Sequence, residues 1–523
     1  MNRRTFLLQG AATLAALKGA SSLAAAVKDG NAPSFQTANT RWQKTYDGAL
    51  AVLAGNVQLV PGYEKPVLIE GSTYQGIWME CGPMEALVYR RFRPEIARNS
   101  HMAFFARQRP DGQLPYSNKI KGLGWGQIQM VVPIAATAWE LARATGDEEL
   151  LRAAYNACSA WDAWLLKFRN TRGTGLTEGF CTYDTGNDNS PRWTGAANNC
   201  PDQDARKIPA RGGVPRLCPD LSATTYGARV ALAAMAQALG KPAEAERWRQ
   251  SAEQMRGLIL SKLYVQEDAA FYDLDAQNQF VRVRSEIITR VCGEHIPDQR
   301  LFDELWTRQI HNPQAFWPAI PLPSVAVDDP HFVRPIPRNS WGGASQALTA
   351  LRATRWFDHY HRAAEFSTMM DAWCEEIQRD GTYRQQIDPL HGGFTQTDAP
   401  HYSPCALVIV DYTWRLAGIN EEADELQWNG RPGHPASASA RFDLRTDGGA
   451  MAAMQYDADG VELRLGGKRI GRIESGAARV ITSKAGMPIA LLGIHEQPQK
   501  VMLHLQGQPK RHFSILPNQR IAL

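Results

Sequence analysis

Residues 183–193 read Y-D-T-G-N-D-N-S-P-R-W, and few other stretches of this chain hold so much chemistry in so little length. Asp184 and Asp188 can give or take protons. Asn187, Asn189 and Arg192 offer donors in fixed planes, and Tyr183 and Trp193 offer aromatic faces. Carboxylates beside a planar donor fork and an aromatic face make a set that grips a polyhydroxyl ligand such as a sugar. Asp184, Gly186, Asn187, Asp188 and Asn189 favour turns, and Pro191 forbids a helix running straight through. The segment is therefore a loop, and a polar surface turn is its plain reading. Trp193 and Arg192, so close behind the acids, favour a binding role.

The run G-N-D-N-S-P-R-W resembles the acid-bearing signature of glycoside hydrolase family 63 and, more distantly, of the family 37 trehalases. The resemblance implies a toroid of six helical hairpins, an (α/α)6 fold. It also implies hydrolysis with inversion at the anomeric carbon, an Asp serving as general acid and a Glu as general base. It places the acid on Asp188, with Asn189, Arg192 and Trp193 as substrate-binding neighbours. The substrate would be an oligosaccharide, and neither a cofactor nor a metal is called for. Such an acid needs a raised pKa, which desolvation against Trp193 or repulsion from Asp184 or Glu178 would supply.

Other loops carry compatible residues. In Y-Q-G-I-W-M-E-C-G-P-M, residues 74–84, Glu80 and Pro83 suit a helix start, whereas the resemblance makes Trp78 and Glu80 sugar-binding. In G-L-G-W-G-Q-I-Q, residues 122–129, glycines around Trp125 let backbone approach a ligand, and Gln129 closes the run. In P-R-N-S-W-G-G, residues 337–343, Asn339 and Trp341 suit a pocket wall. The base is where the pattern departs. The segment Y-R-Q-Q-I-D-P, residues 383–389, places Gln385 where the related enzymes carry Glu. A neutral amide cannot take a proton from water. Three readings stay open: a nearby carboxylate, Asp388 or preferably Asp398, serves instead; the correspondence is shifted; or the protein binds sugar without cleaving it.

These loops need a rigid scaffold. Residues 133–145 have apolar positions at helical spacing, Gly146-Asp147 is a stop followed by a new cap, and residues 148–168 carry one apolar face. Pairs of this kind recur from about residue 41 to 418, at 84–107 with 126–145, 224–239 with 243–260, and 345–357 with 360–379; a run at 406–417 closes the set. The pattern predicts a mostly α domain over residues 27–428. A Gly/Pro linker at 429–435 then leads to alternating runs, predicting a small antiparallel β domain over 436–523.

Residues 1–26 read as a twin-arginine export signal: Arg3-Arg4, a short Ala-rich apolar run and a small-residue cleavage site. The mature protein is thus expected in the periplasm. Removal of the signal takes away Arg3, Arg4 and Lys18 and no acid, so the formal charge falls from +4 to +1. That is no footprint for nucleic acid, and a cleaved chain needs no membrane. None of the eight cysteines shows zinc-site spacing. Cys200 and Cys218 bracket a Gly/Pro-rich segment that a disulfide would staple, though spacing alone leaves connectivity open. Composition leaves the oligomeric state unspecified. Two other function classes remain: an inactive periplasmic sugar-binding protein on the same scaffold, and a polysaccharide lyase, for which no Tyr, His and Arg cluster stands out.

Overall fold

Helix punctuation follows the sequence closely. In the computed structural model, which describes residues 32–523, Gly146 takes φ 66° and ends one helix, and Asp147 caps the next by accepting from the Leu150 N–H. The predicted helix at 84–107 is instead two helices, because Pro94 cannot continue the first and opens the second. The export-signal reading of residues 1–26 lies outside the described residues. Among the described residues, no helix is long and apolar enough to cross a membrane.

The helices, in chain order, are α1 (Thr40–Gly55), α2 (Gly82–Tyr89), α3 (Pro94–Phe105), α4 (Ile134–Thr145), α5 (Glu148–Phe168) and α6 (Pro219–Ala238). They continue with α7 (Pro242–Lys262), α8 (Ile287–Gly293), α9 (Gln299–Leu305), α10 (Ala347–Ala353), α11 (Ala363–Asp380) and α12 (Ser403–Ala417). Packing runs α2 on α4, α4 on α6, α6 on α8, α8 on α10, α10 on α12, and α12 back on α2. Every residue of α8, of α10 and nearly all of α12 is buried, as a helix surrounded by others requires. By contrast α7, on the outside of α6, buries only Ala245, Ala252, Met255 and Ile259. The loops that enter this inner cycle of helices all arrive at the same kind of place, a helix N-terminus.

The C-terminal part is antiparallel. Its strands are β1 (Ser34–Gln36), β2 (Ile419–Glu421), β3 (Glu425–Gly430), β4 (Arg441–Arg445), β5 (Met451–Asp457), β6 (Gly460–Leu465), β7 (Lys468–Ser475), β8 (Ala478–Ser483), β9 (Pro488–Leu492), β10 (Gln499–Leu505), β11 (Arg511–Ile515) and β12 (Arg520–Ala522). One sheet runs β1-β4-β5-β6-β7-β10-β11 and the other β2-β3-β8-β9-β12. Buried and exposed residues alternate along β5 and β10, the period-two pattern visible in the sequence. Two expectations are corrected here. The run at 429–435 is no linker, since Asn429 and Gly430 end β3 and Asn429 is buried. The strands begin at Ile419, and residues 34–36 from the N-terminal side join the larger sheet.

The two parts share one core, and Trp414 of α12 is its rivet. Its indole N–H donates to the Tyr46 hydroxyl of α1 at 2.8 Å, and its ring meets Phe442 of β4 edge-on at 5.2 Å. Trp414→Ala should therefore cost about 3–5 kcal/mol, the range for truncating a buried aromatic. Chemical denaturation should show helical and sheet signals lost together at a lower midpoint.

Candidate active site

Six loops, each leading into one helix of the inner cycle, converge at the N-terminal end of that cycle. Five of them line a polar cavity of about 330 Å³: Glu70, Tyr74, Trp78 and Glu80 before α2, Tyr116, Lys119, Gln127 and Gln129 before α4, Tyr183, Asp188 and Gln203 before α6, Asn339 and Trp341 before α10, and Gln385 before α12. The sixth loop, before α8, supports the floor through Glu286, which accepts from the Asn187 amide at 2.9 Å.

Asp188 is held at both ends. Its backbone carbonyl accepts from the Trp341 N–H at 2.9 Å, and its Oδ2 accepts from the Asn339 side-chain amide at 2.7 Å. The bonding continues around the wall: Gln385 Nε2 donates to Asn339 Oδ1 at 2.8 Å, and the Tyr74 hydroxyl donates to Gln385 Oε1 at 2.9 Å. One amide side chain thus separates Asp188 from Gln385. Burial, followed by the charge of Glu80, pushes Asp188 up to about 8, while the Asn339 bond pulls the other way. The cavity therefore keeps Asp188 protonated at neutral pH. The charge responsible is not the one the sequence implied. Asp184 faces Arg169, Glu178 accepts from the Thr171 and Arg172 backbone, and Trp193 turns away to bond Thr185 at 2.9 Å.

Glu80 leans on the loop that carries the acid. A Cβ on Gly186 would lie 1.8 Å from Glu80 Oε2, so only glycine leaves room there, and Gly186 also takes φ 65°. Burial raises Glu80 above the ordinary carboxylate range, and Arg352 and Arg290 favour its charged form. Its Oε2 is buried with no hydrogen-bond partner among the described residues, leaving an acceptor for a ligand hydroxyl.

The signature divides by function. Asp188 faces the cavity, whereas Arg192 is buried, gripping Asp220 at 2.8 Å, Asp273 at 2.7 Å and Asn187 at 3.0 Å. Arg192 and Trp193 are thus scaffold, and Asn189, exposed with φ 59°, bonds the Asn339 carbonyl outside the cavity lining. Trp125 also lies outside it, stacked under the Arg109 guanidinium at 3.9 Å. Trp78, Glu80, Gln129, Asn339 and Trp341 line it.

Neither carboxylate proposed in place of Gln385 reaches the cavity. Asp388 turns back to accept from the Leu390 N–H at 2.9 Å, within a tight turn, and Asp398 is exposed. Lining residues passed over in the sequence are Glu70, Tyr116, Lys119, Asn199 and Gln203, while Gln127 sits inside the glycine-rich run at 122–129 from which Trp125 and Gln129 stand out. Only Tyr116 and Lys119 had a signal, an aromatic and a cation just before the glycine-rich loop.

Among the described residues, three side-chain groups bring metal-ligand atoms within 4.8 Å of one another: Glu70, Glu80 and Cys81; Cys181, Asp184 and Cys200; and Cys218, Asp220 and Asp273. The last two have their carboxylates committed to Arg169 and Arg192. All eight cysteines are free and buried. Cys200 lies beside Cys181, 3.8 Å between sulfurs, not beside Cys218, so the staple read from spacing does not form.

Asp184 anchors the loop from behind, pairing with Arg169 and accepting backbone N–H bonds from Ile128, Phe180 and Cys181. Asp184→Ala should cost about 3–5 kcal/mol, because it strands a buried guanidinium. Urea titration should show that loss in Asp184→Ala and none approaching it in Asp188→Asn.

Residues 74–405 match a family model described as the mannosylglycerate hydrolase MGH1-like glycoside hydrolase domain. Among curated proteins, none matches the sequence. Solved structures do. The GH63 mannosylglycerate hydrolase from Thermus thermophilus, in complex with Tris, aligns with TM-score 0.59 at 20% identity, covering 71% of this chain and 100% of that one. Neutral trehalase Nth1 from Saccharomyces cerevisiae aligns with TM-score 0.51 at 14% identity, over 67% of this chain and 74% of that one. The GH78 family rhamnosidase of Bacillus sp. GL1 aligns with TM-score 0.57 at 14% identity, over 83% and 41%. At these identities the likeness is one of fold.

Proposed function

The chain belongs to the MGH1-like glycoside hydrolase family, and from that premise we propose that it cleaves a short, α-linked glycoside with inversion, Asp188 being the general acid. We infer with it that the inner cycle of six helices and its outer partners form an (α/α)6 toroid, and that the twin-arginine segment sends the enzyme to the periplasm.

The observation that carries the reading is the half-buried carboxyl of Asp188, raised to about 8 in a cavity walled by aromatics and amides. A protonated carboxyl over the glycosidic oxygen is what departure of an alkoxide requires. Trp78, Trp341 and Tyr183 offer faces for the apolar side of a sugar ring, and Glu80, Gln129 and Asn339 offer partners for its hydroxyls. A volume of about 330 Å³ is at the small end of the roughly 300–1,000 Å³ of ligand sites, which favours a short substrate over a polymer. Lys119 is the one cation in the lining among the described residues, and an aglycone with a carboxylate, as in mannosylglycerate, would meet it.

Gln385 favours a second reading, a sugar-binding protein that does not turn over, because it puts an amide in the cavity where water activation is expected. Proton NMR of the anomeric signals separates the two. The purified protein is incubated with mannosylglycerate and a panel of α-linked disaccharides, beside Asp188→Asn. Hydrolysis predicts release of a sugar of inverted configuration, lost by about 100- to 10,000-fold in the variant. Activity should fall as pH rises through about 8, because the acid limb tracks the proton on Asp188. Near-native turnover by Asp188→Asn would contradict the assignment, and binding without release by both proteins would leave the second reading standing.

A further inference from the structure

An inverting hydrolysis needs a carboxylate to take the proton of water, and Gln385 cannot do so. With Asp388 and Asp398 outside, the carboxylates lining the cavity are Asp188, Glu80 and Glu70. Glu80 Oε2 lies against Gly186, two residues before Asp188, where an added Cβ would come within 1.8 Å of it.

Glu70 brings a carboxylate oxygen within 4.8 Å of one on Glu80, but it is held from a different loop. Its Oε1 accepts from the Tyr402 hydroxyl at 2.8 Å, and its backbone carbonyl accepts from the Ser403 N–H at 2.8 Å. The Tyr402 N–H in turn donates to the Tyr383 carbonyl at 3.0 Å, two residues before Gln385. Tyr74, between them in the lining, donates to Gln385 and lies 5.9 Å, ring to ring, from Tyr402. So Glu80 is buttressed from the acid's loop and Glu70 from the loop of Gln385. Unlike Glu80, whose charge Arg352 and Arg290 favour, Glu70 pairs with no guanidinium among the described residues. Glu70 also lies before residue 74, where the family match begins.

We propose that Glu70 is the general base of this enzyme, activating the water that attacks the anomeric carbon while Asp188 protonates the leaving oxygen. The inference rests on the hydrolase reading. In the step, the Glu70 carboxylate takes one proton from water as the water oxygen bonds to the anomeric carbon. The glycosidic C–O bond breaks with its electron pair on the leaving oxygen, which takes the proton of Asp188. The products are the inverted sugar, the free aglycone, a protonated Glu70 and an ionised Asp188, and solvent exchange resets the two carboxyls. Burial, then the charges of Glu85 and Glu80, hold Glu70 well above the ordinary carboxylate range. The rising limb of the pH profile therefore lies above that range as well, since activity appears as Glu70 loses its proton.

The test compares wild type, Glu70→Gln, Glu70→Ala and Glu80→Gln on α-mannosyl and α-glucosyl fluoride and on the substrate found by NMR. Glu70→Gln should lose about 100- to 10,000-fold in kcat with KM changed only a few-fold, and its profile should lack the rising limb. Sodium azide, which needs no base, should restore turnover of the fluorides by Glu70→Ala and give the β-glycosyl azide. Glu80→Gln should weaken KM and keep the rising limb. Wild-type turnover with Glu70→Gln within tenfold in kcat would overturn the assignment alone. So would a loss that azide does not rescue and that leaves the limb in place, which marks a structural role. A wild type that turns over none of the probes would overturn the hydrolase reading, and this assignment with it.

Discussion

One guanidinium holds the acid loop in place. Arg192 is buried between Asp220, at the start of α6, and Asp273, on a strand edge, and it also bonds the amide of Asn187, the residue before Asp188. Asp220 is shared with Arg290 of α8, whose other partner is Glu286. Two inner helices, one strand and the acid loop therefore meet on alternating buried charges. Such a cluster tolerates little slack, because moving any member leaves another charge buried without its partner. The position of Asp188 is a consequence of that constraint.

The chemistry of the cavity follows from what this cluster leaves over. Arg192 is used up by scaffold aspartates, so it adds no charge at Asp188. Glu80, Glu70 and Glu85 are packed nearby with the charges of Arg352 and Arg290 opposing theirs unevenly, and all three carboxyls sit above their ordinary range. Burial is the first cause in each. At Asp188, which burial and the charge of Glu80 raise as well, the outcome is a stored proton, the state a general acid needs before substrate arrives. Arg352 and Arg290 favour the charged form of Glu80, whereas the charges of Glu85 and Glu80 raise Glu70 further.

How much of this the sequence shows depends on what each residue's visibility rests on. Helix stops such as Gly146-Asp147 are local, and their chemistry is complete within two residues. Asp188 was legible because turn formers and an acid coincide in one loop. Arg192 and Trp193 lie in the same signature, yet face the core, since residue type does not say which way a side chain points once buried charges compete for it. Asp388 lies near Gln385 in sequence and Asp398 in a run that reads as a return to the pocket, yet Asp388 accepts from the Leu390 N–H in its own turn and Asp398 is exposed. Glu70 follows the apolar run Val67, Leu68, Ile69 with no motif around it. Its place depends on the bridge between Gly71 and Tyr402, a pairing across most of the chain that no local pattern encodes.

The claim on which the account turns is that the fold stores a proton on Asp188 at neutral pH. Infrared difference spectra between wild type and Asp188→Asn, recorded across pH, report it directly through the carbonyl stretch of a protonated carboxylic acid. The account predicts a band that is absent in the variant, persists in wild type at neutral pH and fades as pH passes about 8. A band that has already vanished by about pH 5, in the range of an ordinary aspartate, would contradict it.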